Sequence, residues 1–262
     1  MIHGFFDDSA DPKMEDFAVC GGIFADEANS FQLSKRWRKV TKNLREPFRS
    51  TNCECQQGQF KSWSKQQCDL LMSELVGILS DPNLRIGVIA TSVPIPLYKE
   101  TFPNSHRDDP YRLAIRHLLV GMARIARKKR DSVKCWFERG SNGGDIAKAF
   151  KEVSEYRFRD PLLQMRFSEL DFGTKLIPQL QAADLVAREG FKVGANFGER
   201  PIRKPLERLW QHAGIVIWSK DYLTRLRDVG EPLSVESLDN MPDDTFMTDV
   251  RATPFSVSRR PI

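Results

Sequence analysis

No apolar run in the 262-residue chain approaches the roughly 20 residues needed to cross a bilayer. The N-terminus also lacks a basic stretch followed by an apolar run and a small-residue cleavage site. A soluble, cytoplasmic protein with no membrane partner is therefore expected. Internal repeats and low-complexity tracts are missing. Cysteines are few and odd in number, at Cys20, Cys53, Cys55, Cys68 and Cys135, and a chain of this length folds without disulfides, so they are read as reduced thiols. Cys53-Glu54-Cys55 with Cys68 fits no common zinc spacing, and His106 is remote. Charge of one sign is not strongly dominant. Forty Lys and Arg against 35 Asp and Glu give +5 and an isoelectric point near 9.0, a balance that permits binding to a polyanion without demanding it.

With 40% hydrophobic residues, the chain can bury one full-sized core. Residues 1–7 and roughly 17–26 read as strands of an opening hairpin. Leu33, Trp37, Val40 and Leu44 fall at helical spacing and leave Lys35, Arg36, Arg38, Lys39 and Lys42 on the other faces. A loop over roughly 46–64 leads to a helix at about 65–80, and a third strand near 84–93 ends at Pro94 and Pro96. Pro110 suits the start of a long helix to about 129, with Arg127, Lys128, Lys129 and Arg130 where cations favour the helix dipole. A strand over 133–138, a helix to about 157, a strand near 164–169 and a helix opened by Ile177-Pro178 complete the order β-β-α-α-β-α-β-α-β-α. Residues 200–228 read as helical in part, around Leu206, Leu209 and Trp210. Beyond Val229 the composition turns to Pro, Asp, Ser and Arg, so 1–228 is expected as the folded domain and 229–262 as an extended or mobile tail.

Three acids stand where apolar segments run out or pass inside: Asp7 after Ile2-His3-Gly4-Phe5-Phe6, Glu138 after Val133-Lys134-Cys135-Trp136-Phe137, and Asp184 within Leu180–Ala187. A carboxylate in such a place is costly to desolvate unless paired, and a divalent cation is a natural partner. A meander followed by a helical crossover lets the fourth strand return parallel beside the first, which brings Asp7 and Glu138 to one sheet edge. A helix over that edge would deliver Asp184. Each acid alone has an ordinary reading, as a turn acid, a loop acid, or a buried acid held by arginine or backbone groups. Gln181 either orients a ligand or water, or bridges buried backbone groups. Asp171 and Lys175 precede the last helix, the lysine being a candidate phosphate contact or part of a solvated loop. Glu189 lies well around the helix from Asp184 and is read as structural. The basic stretches Lys35–Arg45 and Arg124–Arg130 are either solvated helix faces or contacts for a polyanion backbone. Trp37 and Trp63 are candidates for base stacking, although Trp37 falls on the apolar stripe.

Phe5-Phe6-Asp7-Asp8-Ser9-Ala10 resembles the opening Asp-(Asp/Glu)-Ser-Gly of the domain-of-unknown-function 3800 family. Phe48-Arg49-Ser50-Thr51 with Gly58-Gln59-Phe60-Lys61-Ser62-Trp63 is similar to its loop signature. Phe137-Glu138-Arg139-Gly140 running to Gly144-Asp145-Ile146, and Gln179–Glu189 around Asp184, resemble its later blocks. The resemblance spans most of residues 1–212. It implies an α/β fold of the ribonuclease-H-like type, a mixed sheet flanked by helices, here with a C-terminal helical extension and tail. It also implies a metal-dependent nuclease in which Asp7, Glu138 and Asp184 hold Mg²⁺ or Mn²⁺ and act on nucleic acid, DNA or RNA. Two positions depart from the pattern. Arg49 stands where the family loop commonly has histidine, and a permanently charged guanidinium clamps phosphate but shuttles no proton near neutral pH. Ala10 replaces the opening glycine, so this turn needs no glycine-only backbone angle. The expected site is thus Asp7, Glu138 and Asp184 as catalytic metal ligands, with Arg49, Lys175 and Gln181 on the substrate side. The competing expectation is a non-catalytic nucleic-acid-binding or adaptor module with the same fold.

Overall fold

The computed structural model describes residues 1–10, 15–140, 142–157, 167–195, 208–209, 213–231 and 233–241. Six strands, β1 (Ile2–Ala10), β2 (Phe17–Asp26), β3 (Gly87–Pro94), β4 (Val133–Glu138), β5 (Phe167–Gly173) and β6 (Ala213–Ile217), form one mixed sheet in the order β5-β4-β1-β2-β3-β6. β1, β2 and β3 are an antiparallel meander, whereas β4 joins β1, β5 joins β4 and β6 joins β3 in parallel. The class is α/β, a mixed sheet flanked by helices.

The helices among the described residues are α1 (Glu27–Thr41), α2 (Ser50–Glu54), α3 (Lys65–Leu79), α4 (Ile95–Thr101), α5 (Asp109–Lys129), α6 (Gly143–Glu155), α7 (Pro178–Ala195), α8 (Lys220–Val229) and α9 (Val235–Asp239). Alternation along the strands divides the apolar side chains between two cores, as a period of two requires. Ile2, Phe6, Cys20 and Phe24 face the α5 side together with α6, α8 and α9. Phe5, Ile23 and Ala25 face α1, α3 and α7. Local chemistry starts the helices where it should. The Asp26 carboxylate accepts from Asn29 N at 2.8 Å to cap α1, and Ser64 with Gln67 forms a reciprocal capping box on α3.

α7 carries one of the acids and lies close against the sheet because small residues meet there. A Cβ on Gly21 would stand 3.2 Å from Ala187 Cα and 3.0 Å from Ala90 Cβ, so a larger residue at Gly21 would lift the helix and the acid with it.

Several expectations are revised. Within the region expected to be partly helical, α8 is a helix as expected, but Ala213–Ile217 is the strand β6, a five-residue apolar run too short for periodicity to classify. Pro96 sits in the first turn of α4 rather than merely ending β3. β5 runs to Gly173, later than expected, which places Asp171 inside a strand, where it pairs with Lys134 at 2.8 Å. The expected tail begins too early, because Val235, Leu238 and Met241 are buried in the α5 core. Leu206, Trp210, the turn residues Asp11 and Pro12, and residues 242–262 lie outside the described residues. No described helix is long and apolar enough to cross a membrane.

Candidate acid cluster

β1 and β4 run parallel with Phe6 opposite Phe137, so Asp7 and Glu138 are the next positions along two neighbouring strands. β1 does not stop at Asp7; it continues beside β2, with Asp7 opposite Gly21. Asp7 comes directly after the last β1–β4 pair. It shares its sheet face with Phe5, on the side covered by α7. Asp184 enters from α7, and the three carboxylates meet at one point.

That point holds the ammonium of Lys175, from the turn between β5 and α7. Its Nζ makes a short contact with Asp7 Oδ2 and lies 3.0 Å from Glu138 Oε2, 3.3 Å from Asp184 Oδ1 and 3.1 Å from the Leu180 carbonyl. The Lys175 side chain is 3% exposed and that of Asp7 5%. Glu138 and Asp184 are partly buried.

The second oxygen of each acid is engaged elsewhere. Asp8 N donates to Asp7 Oδ1 at 2.9 Å. Arg49 Nη2 lies 3.4 Å from Glu138 Oε1. Ser50 N, at the start of α2, donates to Asp184 Oδ2 at 2.6 Å, and Ser50 Oγ donates to the Asp184 carbonyl at 3.3 Å. These contacts orient the remaining three oxygens toward the common point.

The electrostatics arise from three negative charges around one positive charge. Burial pushes the Asp7 carboxyl up to about 8; Lys175 pulls it down, while Asp184 and Glu138 add to the rise. Burial alone would lower the Lys175 ammonium, yet Asp7, Asp184 and Glu138 outweigh it and hold it above the usual lysine value. Both groups shift toward their protonated forms. The cluster is short of positive charge.

Gln181 is a buried bracket. Its Oε1 accepts from Trp37 Nε1 at 2.9 Å and from Phe48 N at 3.3 Å, and its Nε2 donates to the Lys175 carbonyl at 2.6 Å. Of the two roles open to it in the sequence, the structure displays the bridging one. Lys175, expected on the substrate side, likewise points inward. Arg49 is exposed at the rim beside Glu138. Trp37 is core, Trp63 packs edge-on against Phe60 at 5.1 Å, and Glu189 is buried with Lys192 at 2.9 Å. The sequence signal for the central role of Lys175 is its place five residues before Leu180, but spacing alone does not reveal that it points into the cluster.

Three carboxylates are a hard oxygen donor set suited to Mg²⁺ or Mn²⁺, and the Lys175 ammonium already shows that a cation is wanted where they meet. Among the described residues, no group of three or more His, Cys, Asp or Glu is arranged around a metal position. Asp7, Glu138 and Asp184 are the residues that could hold a divalent ion, and the Lys175 ammonium occupies the place where they meet. A cleft of about 760 Å³ lies along the same sheet face, lined by His3, Phe5, Phe31, Trp136, Ile177 and Gln179 among others, and none of the three acids lines it.

No protein-family model matches the chain, and neither a curated protein nor a solved structure matches it.

Proposed function

We propose that the domain is a divalent-metal-dependent phosphodiesterase of ribonuclease-H-like type, related to the domain-of-unknown-function 3800 family and acting on nucleic acid. The observation that carries this reading is the convergence of Asp7, Glu138 and Asp184, from two adjacent parallel strands and the helix over them, on a single cation position. The fold assignment is supported by the meander β1-β2-β3 with β4 and β5 added in parallel beside β1. Asp7, Glu138 and Asp184 would hold Mg²⁺ or Mn²⁺. Such an ion supplies Lewis acidity and a water of lowered pKa for phosphodiester hydrolysis. Ser50 N fixes the carboxylate of Asp184, and Arg49 offers its exposed guanidinium to a phosphate.

The outer face of α1 and the turn that follows it support a polyanionic substrate. Lys35, Arg38, Lys39, Lys42 and Arg45 are exposed and have no ion-pair partner among the described residues, whereas Arg36 is tied to Asp81 at 2.6 Å. The other basic stretch is less suited, since Arg124 is buried and Lys129 lies over the Phe24 ring.

The test is a panel of labelled single- and double-stranded DNA and RNA with Mg²⁺ or Mn²⁺. Asp7→Ala, Glu138→Ala and Asp184→Ala should each remove nearly all cleavage. Cleavage by Asp184→Ala at the parent rate would place the activity elsewhere. A second reading, the non-catalytic nucleic-acid-binding or adaptor module, is favoured by the burial of Lys175 among the three acids, an ion-paired structural knot that the ammonium neutralises in part. Under that reading the parent binds nucleic acid and does not bind Mn²⁺ at the acids.

A further inference from the structure

The six carboxylate oxygens of the cluster divide into two sets. Asp7 Oδ1, Glu138 Oε1 and Asp184 Oδ2 are committed to Asp8 N, Arg49 and Ser50 N. Asp7 Oδ2, Glu138 Oε2 and Asp184 Oδ1 all face Lys175 Nζ. A cation entering at the common point meets the second set, and that set already surrounds an ammonium.

The ammonium is itself oversubscribed. It has three N–H donors and four oxygens around it, the fourth being the Leu180 carbonyl at 3.1 Å. With all three carboxylates ionised, one acceptor therefore goes without a proton at any moment, in a place where Lys175 is 3% exposed. The backbone of Lys175 is held independently, because Gln181 Nε2 bonds its carbonyl at 2.6 Å and Trp37 bonds Gln181 from the far side. The turn is therefore anchored independently of the ammonium, and the flexible four-carbon side chain can change position by rotation about its own bonds without moving the backbone.

From this geometry we infer that Lys175 is a resident counter-ion that competes with the divalent cation, so that metal loading and expulsion of the Lys175 ammonium are one event. This rests on the metal reading above and adds to it a built-in control of ion entry. Without metal, Lys175 neutralises part of the cluster and keeps it folded. Metal binding works against that contact, and the apparent affinity is weakened by the fraction of molecules in which the lysine is in place. Lys175→Met keeps the apolar stem and removes the charge.

Isothermal titration with Mn²⁺ alone, without substrate, tests this on the parent, Lys175→Met, Lys175→Gln and Asp184→Asn. Lys175→Met and Lys175→Gln should bind Mn²⁺ at least ~tenfold more tightly than the parent, and Asp184→Asn should lose the site. Gain of binding where the parent shows none supports the inference equally. Folded lysine variants that bind Mn²⁺ no more tightly than a parent whose binding needs Asp184 would overturn the competition and leave the metal reading standing. Absence of Mn²⁺ binding in the parent and both lysine variants overturns both. Should the lysine variants fail to fold, the parent decides alone. The side-chain ammonium resonance of Lys175 in isotope-labelled protein should shift on saturation with Mg²⁺, and a resonance that stays in place refutes the displacement.

Discussion

Replacing Asp7 by asparagine removes one of the three negative charges around Lys175 and keeps the shape of the side chain, so the stability of the variant reports the charge balance of the cluster. In the folded protein the Asp7 carboxyl is pushed up to about 8, against 3.8 as its ordinary value. The folded state therefore binds a proton that the unfolded state has released. The stability it brings is fully present below about pH 4 and is lost as pH rises to about 8. A rise of about four units, at about 1.4 kcal/mol each, sets an upper bound of ~5–6 kcal/mol on that loss. Relaxation of the cluster and retention of the Lys175 contact reduce it, and ~2–3 kcal/mol is the expected size. Asparagine does not titrate, and its single side-chain oxygen can take the place of Asp7 Oδ2 as acceptor for Lys175, at the cost of the bond from Asp8 N. In chelator, to keep metal out, Asp7→Asn should stand close to the parent near pH 5 and exceed it by ~2–3 kcal/mol at pH 9, which is a Tm higher by ~4–10 °C. Lys175 stays charged throughout this range. Denaturant melts of both proteins at pH 5, 7 and 9 measure the difference. A variant less stable than the parent at pH 9, or a difference that does not change with pH, would refute the claim that the cluster is short of positive charge.

Gln181→Leu leaves Trp37 Nε1, Phe48 N and the Lys175 carbonyl without their partner, and should cost ~2–4 kcal/mol in denaturant melts; a loss under ~1 kcal/mol would show the bracket to be dispensable. Neutralising Lys35, Arg38, Lys39 and Lys42 together should leave Tm nearly unchanged, since these side chains are exposed, and should lower the salt dependence of nucleic-acid binding by ~0.7–0.9 in slope for each phosphate no longer neutralised. An unchanged slope in fluorescence anisotropy removes α1 from the interface. Arg49→Ala should weaken binding and leave residual turnover, because Arg49 touches the rim through Glu138 and does not face the common point; complete loss of turnover would give it a direct part in the chemistry. Gly22→Ala should destabilise by more than ~3 kcal/mol, since its Cβ would lie 1.9 Å from the Phe5 carbonyl oxygen on the adjacent strand; near-parent stability would mean that β1 and β2 separate freely there.

Elements with strong local signals were legible from the chain alone. α1, α3 and α5 obey apolar spacing of three and four residues, with cap residues or proline at their starts, and β1, β2 and β4 are apolar runs bounded by turn residues and acids. The order of elements placed β4 beside β1, and so put Asp7 and Glu138 together on topological grounds. Features that depend on residues far apart in the chain were settled by packing instead. β6 is too short to announce itself and is a strand because it completes the edge of β3. The five residues of α9 are held by α5. At the acid cluster, three carboxylates were readable along the chain and their cation was not. Lys175 stands 168 residues from Asp7, and nothing in its neighbours along the chain says which way its side chain points. Its direction is set by the turn that Gln181 clasps, by Trp37 behind Gln181, and by three converging charges whose attraction is strong only where the fold has excluded water.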